Sequence, residues 1–537
     1  GPHPRIPLPR DLYGPGRRNS GGLDLSVAEV RRDLEAAISH LDGEALEAGP
    51  IVSGRLVQDG AGQPAVSPTD LRRPLGRVWV STPAQIDQAF VAARAAQRSW
   101  DLRGGEGRAR VLRAMGDALE ADQARLIAIC VREAGKTLGD AVAEVREAVD
   151  FCRYYAALAE QQFATPQILR GPVGETNQLS LHGRGVFVCI SPWNFPLAIF
   201  TGQIAAALAA GNGVLAKPAE QTPIVAAEAV RLFHQAGVPA ELLHLLPGDG
   251  ATVGQALVGH PGCDGVAFTG GVDTASAINR ALAARQGPIV PFIAETGGLN
   301  AMFVDTTALR EQVIDDVLVS GFGSAGQRCS ALRMLFVPND TAELLIEGLR
   351  GAMRTLVVGD PADPRTDIGP VIDAEARAVL DAHVERLGRE ATVLERLPVP
   401  EHGHFFAPTL AEIPDAAFLQ KEVFGPVLHI VRYDAAKLAR AAAPLVQARY
   451  GLTLGVHSRI EAFAQEVQRT VPAGNAYVNR SMIGAVVGVQ PFGGEGLSGT
   501  GPKAGGPHAL LRYAVERSVS INIAAQGGDP ALLNLDP

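Results

Sequence analysis

"GVFVCISPWNFPLAIFTGQIAAALAAGNGVLAKP", residues 185–218, carries the pattern that decides the fold. "GVFVCI" (185–190) is a short apolar run rich in β-branched residues. "LAIFTGQIAAALAA" (197–210) is helical in pattern and stops at Gly211, and "GVLAKP" (213–218) is a second short strand. Strand, helix and strand at this spacing make a βαβ unit. Strands that are apolar throughout belong to a parallel sheet covered on both faces.

Working outward, the alternation continues downstream. "TPIVAAEAVRLFHQAG" reads as a helix with Thr222 as cap, Pro223 opening it and Gly237 closing it. "LLHLL", "ATVGQALVG", "GVAFTGG", "TASAINRALAARQ" and "PIVPFIAE" extend the series to Glu295. Such sheets bind ligands at the carboxyl ends of their strands. A second α/β run starts at "NAMFVD" (300–305) and continues through "RMLFVP" (333–338) to about residue 480. Upstream, helical pattern dominates to about residue 160. Ser26 with Glu29 reads as a capping box, and so does Thr82 with Pro83 and Gln85. Two stretches stand apart, 163–185 and 513–525; both alternate as strands do and are expected to pair as an arm suited to subunit contact.

The chain has 537 residues, which predicts two or three domains. Hydrophobic content of 47% against 20% charged is that of a globular protein, and a net charge of −9 excludes nucleic acid as the main partner. The longest apolar stretch, "IFTGQIAAALAA" (199–210), is too short for a membrane span. Five scattered cysteines, Cys130, Cys152, Cys189, Cys263 and Cys329, fit a reducing, cytoplasmic setting rather than a disulfide framework. The opening "GPHPRIPLPRDLYGPGRRNSGG" lacks an apolar signal core and an initiator Met. It reads as an extended linker, so a longer parent polypeptide is expected.

Candidate chemistry gathers at strand ends. In "AKPAEQTP" (216–223), Lys217 ends a strand and Glu220 precedes a helix, where a carboxylate can take both hydroxyls of a nucleotide ribose; a solvated turn is the alternative. "FTGGVDTASAI" (268–278) could aim helix N–H groups at a diphosphate. The "EAGKT" at 133–137 is no P-loop, because Cys130 stands where its first glycine belongs. Glu295 in "AETGGLN" sits before two glycines and could act as a general base. Cys329, after Gly323 and Gly326, lies between the two α/β runs. Spacing alone leaves nucleophile and buried spectator both open. His402 and His404 have no third ligand nearby, and no metal is expected.

Taken in chain order, these segments resemble the NAD(P)-dependent aldehyde dehydrogenase superfamily. "SPWNFP" (191–196), "KPAE", "FTGG", "ETGG", "GQRC", "EVFGPV" (422–427) and "PFGG" (491–494) carry the likeness over about residues 30–525. The resemblance implies an α/β fold with a Rossmann-like NAD-binding domain, an α/β catalytic domain and a small β oligomerisation arm. It implies Cys329 as nucleophile, Glu295 as general base and Asn194 as oxyanion donor with the Cys329 N–H. It places NAD on Lys217, Glu220, Gly270, Gly271, Glu422 and Phe424, beside Pro192 and Trp193. Gly271 stands where the family commonly has serine, and Ala275 replaces a usual glycine.

Within the superfamily, the linker, "GAVVGVQPFGGEGLSGTGPKAGGP" (484–507) and "AAQGGDPALL" are similar to the L-glutamate γ-semialdehyde (pyrroline-5-carboxylate) dehydrogenase domain of the bifunctional proline utilization A family. That likeness implies oxidation of L-glutamate γ-semialdehyde to L-glutamate, the second step of proline catabolism. It places the substrate carboxylate on Ser330, Gly484 and Ala485, with Phe195 and Phe492 along its chain and Arg328 nearby. Some relatives have serine at the place of Ala485. A proline dehydrogenase domain upstream in the parent chain and a homodimer through the β arm are implied as partners, and this chain alone is not expected to oxidise proline. The alternatives are another semialdehyde such as succinic semialdehyde, a coenzyme A-acylating enzyme, or a non-catalytic assembly module. The expected boundaries are 1–25 linker, 26–162 and 184–296 NAD-binding domain, 297–512 catalytic domain, and 163–183 with 513–537 arm and tail.

Overall fold

The structure, a computed structural model, describes residue 3, residues 5–172 and residues 174–527. The last part of "AAQGGDPALL" and the tail to 537 lie outside these, as do residues 1, 2 and 4 of the linker.

The strand that opens the quoted stretch, Val186–Ile190, is buried at every residue, as is Gly213–Lys217. Between them the helix Ala198–Ala209 buries every residue but Ile199, so neither strand nor helix keeps a polar face. The result is a sheet of five parallel strands in the order Phe292–Glu295, Gly265–Thr269, Val186–Ile190, Gly213–Lys217, Leu243–Leu245. Ile51–Val52 and Arg55–Leu56 extend it antiparallel at the last edge. The first of the five strands in the sequence is central, with later strands on both sides. The order therefore reverses between Val186–Ile190 and Gly265–Thr269, and a crevice opens at their carboxyl ends. Gln203 spans that gap by donating to Ile190 O (3.1 Å) and Thr269 Oγ1 (3.2 Å).

Residues 296–300 carry the chain from the carboxyl edge of this sheet to the amino edge of a second. There Thr409–Glu412, Val427–Tyr433, Met334–Pro338, Ala301–Val304, Thr453–His457 and Asn475–Val478 run parallel, with Thr392–Arg396 antiparallel at one edge. The two arm stretches do pair: Glu175–Gly183 lies antiparallel to Ala514–Asn522 along its whole length, flanked by Gln167–Leu169.

Local signals fared unequally. Thr82 caps Pro83–Asp101 with both bonds of the capping box. The Ser26 box does not form, because Asp24 takes the Ser26 N–H and hydroxyl, and Ala28–Leu41 starts without a side-chain cap. Thr222 also makes no capping bond. The buried carboxylate of Glu133, from a neighbouring helix, takes the Ile224 and Val225 N–H groups at 2.7 and 2.9 Å. A two-oxygen acceptor replaces a one-oxygen cap, and it welds two helices together. Residues 46–78, read over in the helical stretch, contain the sheet of Leu46–Ala48, Asp70–Val78 and Gln63–Ser67. Residues 9–22 are held against the long helix Leu138–Phe163, with Arg17, Asn19 and Ser20 buried.

Candidate active site

The register of the first sheet sets out the site. Lys217 pairs with Ile190, Ile190 with Phe268, and Thr269 with Glu295, so strand ends form one row along the carboxyl edge. Three strand spacings separate Lys217 from Glu295, roughly 14 Å at ~4.8 Å each. That is room for an extended dinucleotide.

At one end of the row, Lys217 is buried and donates to Gly248 O (2.6 Å) and Pro218 O (3.0 Å). Burial pushes its pKa down to about 8 against the pull of Glu220 and Asp249. Glu220 itself is exposed and lines, with Asp249, Glu133 and Gln221, a separate surface cleft beside the strand Asp70–Val78. In the middle, Gly271 precedes the helix Val272–Ala284 with no side-chain cap, leaving its first-turn N–H groups free for an anion. A Cβ at Gly271 would meet nothing within 4 Å, so the serine usual there is replaced by open space.

At the other end stands Cys329, in a loop whose backbone is held almost atom by atom. Ser324, Ala325 and Gly326 are successively left-handed, with φ of 57°, 54° and 65°. Side chains take the carbonyls that follow. Arg333, fully buried, donates to Gly326 O (2.7 Å) and Arg328 O (2.9 Å). Asn194 donates to Gln327 O (3.1 Å), and Asn300 to Cys329 O (2.6 Å) and Ala331 O (2.9 Å). Thr453 donates to Ser330 O (3.1 Å). With its carbonyls drawn to one side, the loop is fixed around the thiol, and Asn194 keeps a second N–H for an oxyanion. Gly326 has no substitute: an added Cβ would stand 2.1 Å from Gly425 O. Gly326→Ala is therefore expected to cost about 2 kcal/mol or more of stability and most of kcat, read as a lowered Tm beside a lowered rate.

Glu295 and Cys329 line one cavity between the sheets. Glu295 Oε2 accepts the Gly494 N–H at 3.3 Å, while Oε1 is buried with no protein partner. Burial pushes the Glu295 pKa up to about 8, opposed by Gly494 and the charge of Lys503. The Cys329 thiol is pushed up to about 12, first by burial and then by the carboxylates of Glu422, Glu295 and Glu147. Burial and the surrounding carboxylates thus both disfavour the thiolate in the free protein.

Phe195, Phe492, Ser330, Gly484, Ala485 and Arg328 reach the same cavity. Arg328 is committed to Asp140 at 2.7 Å and lies 5.2 Å from the centre of the Phe195 ring. Glu422, Phe424 and Trp193 stand on the other side of the cysteine loop. Glu422 pairs with Arg333 at 3.1 Å, and the Phe424 ring meets Trp193 edge-on at 5.5 Å. Gly297 packs so closely on Glu422 that a Cβ would fall 1.6 Å from its Oε2. Pro192 lies in the partly exposed turn after Ile190.

Reading motifs misses the cavity wall opposite Cys329. Glu147, Phe151 and Tyr155, four residues apart on Leu138–Phe163, all line it. Their i, i+4, i+8 spacing was legible, with one carboxylate on an apolar stripe as its signal. Burial raises the Glu147 pKa to about 8. Arg333 and Asn300 were missed because they act on carbonyls, which no side-chain motif records.

The chain matches the aldehyde dehydrogenase family profile over residues 57–519. It is 47% identical over 539 residues to the "Bifunctional protein PutA" of Escherichia coli (strain K12), covering 98% of this chain and 40% of that one. It is 34% identical over 505 residues to a "1-pyrroline-5-carboxylate dehydrogenase" of Geobacillus sp. (strain WCH70), covering 93% and 97% of the two chains. A crystal structure of 1-pyrroline-5-carboxylate dehydrogenase from Thermus with bound NAD superposes with a TM-score of 0.90 at 33% identity, covering 94% of this chain and 99% of that one. This chain thus spans about two-fifths of the bifunctional relative and nearly all of the monofunctional one. It belongs to the aldehyde dehydrogenase family.

Proposed function

We propose that this chain oxidises L-glutamate γ-semialdehyde to L-glutamate with NAD, through a thioester on Cys329. The observation that carries this is one cavity lined by a thiol, a carboxylate with a free oxygen, Glu147 and the Gly484–Ala485 turn. The Cys329 thiol releases its proton to solvent, and its sulfur adds to the aldehyde carbon. The alkoxide formed is held by the Asn194 amide and the Cys329 N–H. Lys217, Glu220, the turn at Gly270–Gly271 and Glu422 would hold NAD, which supplies the hydride acceptor. Glu295 then takes a proton from water as it attacks the thioester, releasing the acid and the thiol.

The head group follows from the same wall. A substrate α-carboxylate fits the backbone N–H groups at 484–485 and the Ser330 hydroxyl, and an ammonium fits Glu147. A neighbouring cation would draw the raised Glu147 pKa down and keep that carboxylate ionised. Succinic semialdehyde has no group for Glu147. Wild-type protein should prefer the amino-acid semialdehyde with NAD, and equal use of succinic semialdehyde would overturn the substrate reading. Glu147→Gln should raise KM about tenfold or more for the amino-acid semialdehyde, and little for succinic semialdehyde.

We further infer that the first sheet and its helices form the nucleotide-holding part and the second sheet the part bearing the nucleophile. The strand Ala514–Asn522, largely exposed at a sheet edge, supports a homodimer in which the arm pairs with a second copy. Light scattering at micromolar concentration showing a monomer would refute it. The span of the bifunctional relative supports a parent protein with a proline dehydrogenase domain upstream. Scattered reduced cysteines support a cytoplasmic setting; among the described residues no helix is long and apolar enough to cross a membrane.

A further inference from the structure

The opening segment is tied to the turn that ends the cavity. Arg17 Nη1 donates to Val487 O at 2.9 Å, across 470 residues of sequence. Its guanidinium lies 3.7 Å from the centre of the Tyr13 ring and 5.3 Å from that of Tyr154, and the side chain is buried. Gly488 is shaped for it: φ is +75°, and an added Cβ would stand 2.4 Å from Arg17 Nη1. The rest of the segment is equally fixed. Ser20 gives its N–H (3.1 Å) and hydroxyl (2.9 Å) to Asp150, and Arg153 donates to Asn19 O (3.2 Å). Asn19 closes the segment on itself through Arg10 O and Pro9 O, each at 2.9 Å.

Asp150, Arg153 and Tyr154 stand on the helix Leu138–Phe163, whose adjoining face gives Glu147, Phe151 and Tyr155 to the cavity. The segment and the substrate space thus share one helix, and Arg17, beside its Tyr154, bonds to the loop. Within residues 486–489, two hydrogen bonds among the described residues tie the turn to the body of the protein. They are Gly488 N–H to Gly505 O (2.9 Å) and Arg17 to Val487 O; the Val486 N–H goes to Gln490 inside the loop.

We propose that residues 9–22 are a strap, in which Arg17 is a positioning residue that fixes the 484–490 loop for the amino-acid head group of the substrate. The proposal rests on the reading of Gly484–Ala485 as the carboxylate site. A charged donor on a loop carbonyl, buried against two aromatic rings, holds the turn more firmly than backbone alone.

The test is Arg17→Met and Arg17→Lys in the full chain. Arg17→Met should raise KM for L-glutamate γ-semialdehyde about tenfold with kcat near wild type. Propanal, which has no head group, should be oxidised unchanged, and Arg17→Lys should recover part of the loss. Amide hydrogen exchange of 484–490 should quicken several-fold in Arg17→Met while that of 326–331 stays the same. Unchanged exchange, or an equal loss with both aldehydes, overturns the strap. A wild type with no preference for the amino-acid semialdehyde sinks the substrate reading instead, and the exchange result then decides the strap alone.

Discussion

Cys329→Ala is expected to lower aldehyde oxidation by a factor on the order of 10⁴ or more while leaving the fold and NAD affinity intact. The side chain is small and lines the cavity; the loop around it is held through carbonyls by Arg333, Asn300, Asn194 and Thr453. Alanine fits that backbone without strain. Steady-state rates beside an NAD titration check the expectation. Full activity in Cys329→Ala would end the mechanism, whereas lost NAD binding would show that the loop itself had shifted. Cys130 and Cys152 make the control: both are fully buried in helices and alanine there should leave the chemistry untouched.

Glu295→Gln should separate the two halves of the reaction. Glutamine can occupy the same place and keep the Gly494 contact, but it cannot take a proton. Thioester hydrolysis should slow about 10²–10⁴-fold, so a first turnover of NADH precedes a stall. The pH dependence follows from the same group. A base works when ionised, and burial has raised this carboxyl to about 8. In the wild type, hydrolysis should therefore be near its maximum above pH 8 and fall about tenfold per unit well below it. Glu295→Gln should flatten that limb. Removing the Lys503 charge, which opposes the shift, should move the midpoint further up.

Much of this is legible in the sequence, and the exceptions share a cause. The βαβ rhythm from Val186 onward is local, since apolar strands and one helix apolar all round admit few alternatives. Thr82 caps its helix because nothing nearby competes. Thr222 and Ser26 had the right residues at the right spacing, yet Glu133 and Asp24 offered better acceptors. Glu133 lies far off in sequence, so no window could have found it. The site shows the same division. Cys329, Glu295, Asn194 and Lys217 sit in recognisable motifs; Lys217 and Glu295 end strands as read, while Asn194 and Cys329 lie in loops. Arg333, Asn300 and Arg17 bond to main-chain carbonyls, a role that leaves no residue pattern. Glu147 is the intermediate case: its helical spacing pointed inward, but only the fold says that inward means the cavity.

The most direct test is to incubate the Glu295→Gln protein with NAD and L-glutamate γ-semialdehyde, quench in acid and weigh its peptides. A γ-glutamyl group on the peptide carrying Cys329, absent without NAD, is the predicted result. No adduct despite NADH formation, or an adduct on another residue, would contradict the assignment of the thiol, the base and the substrate together.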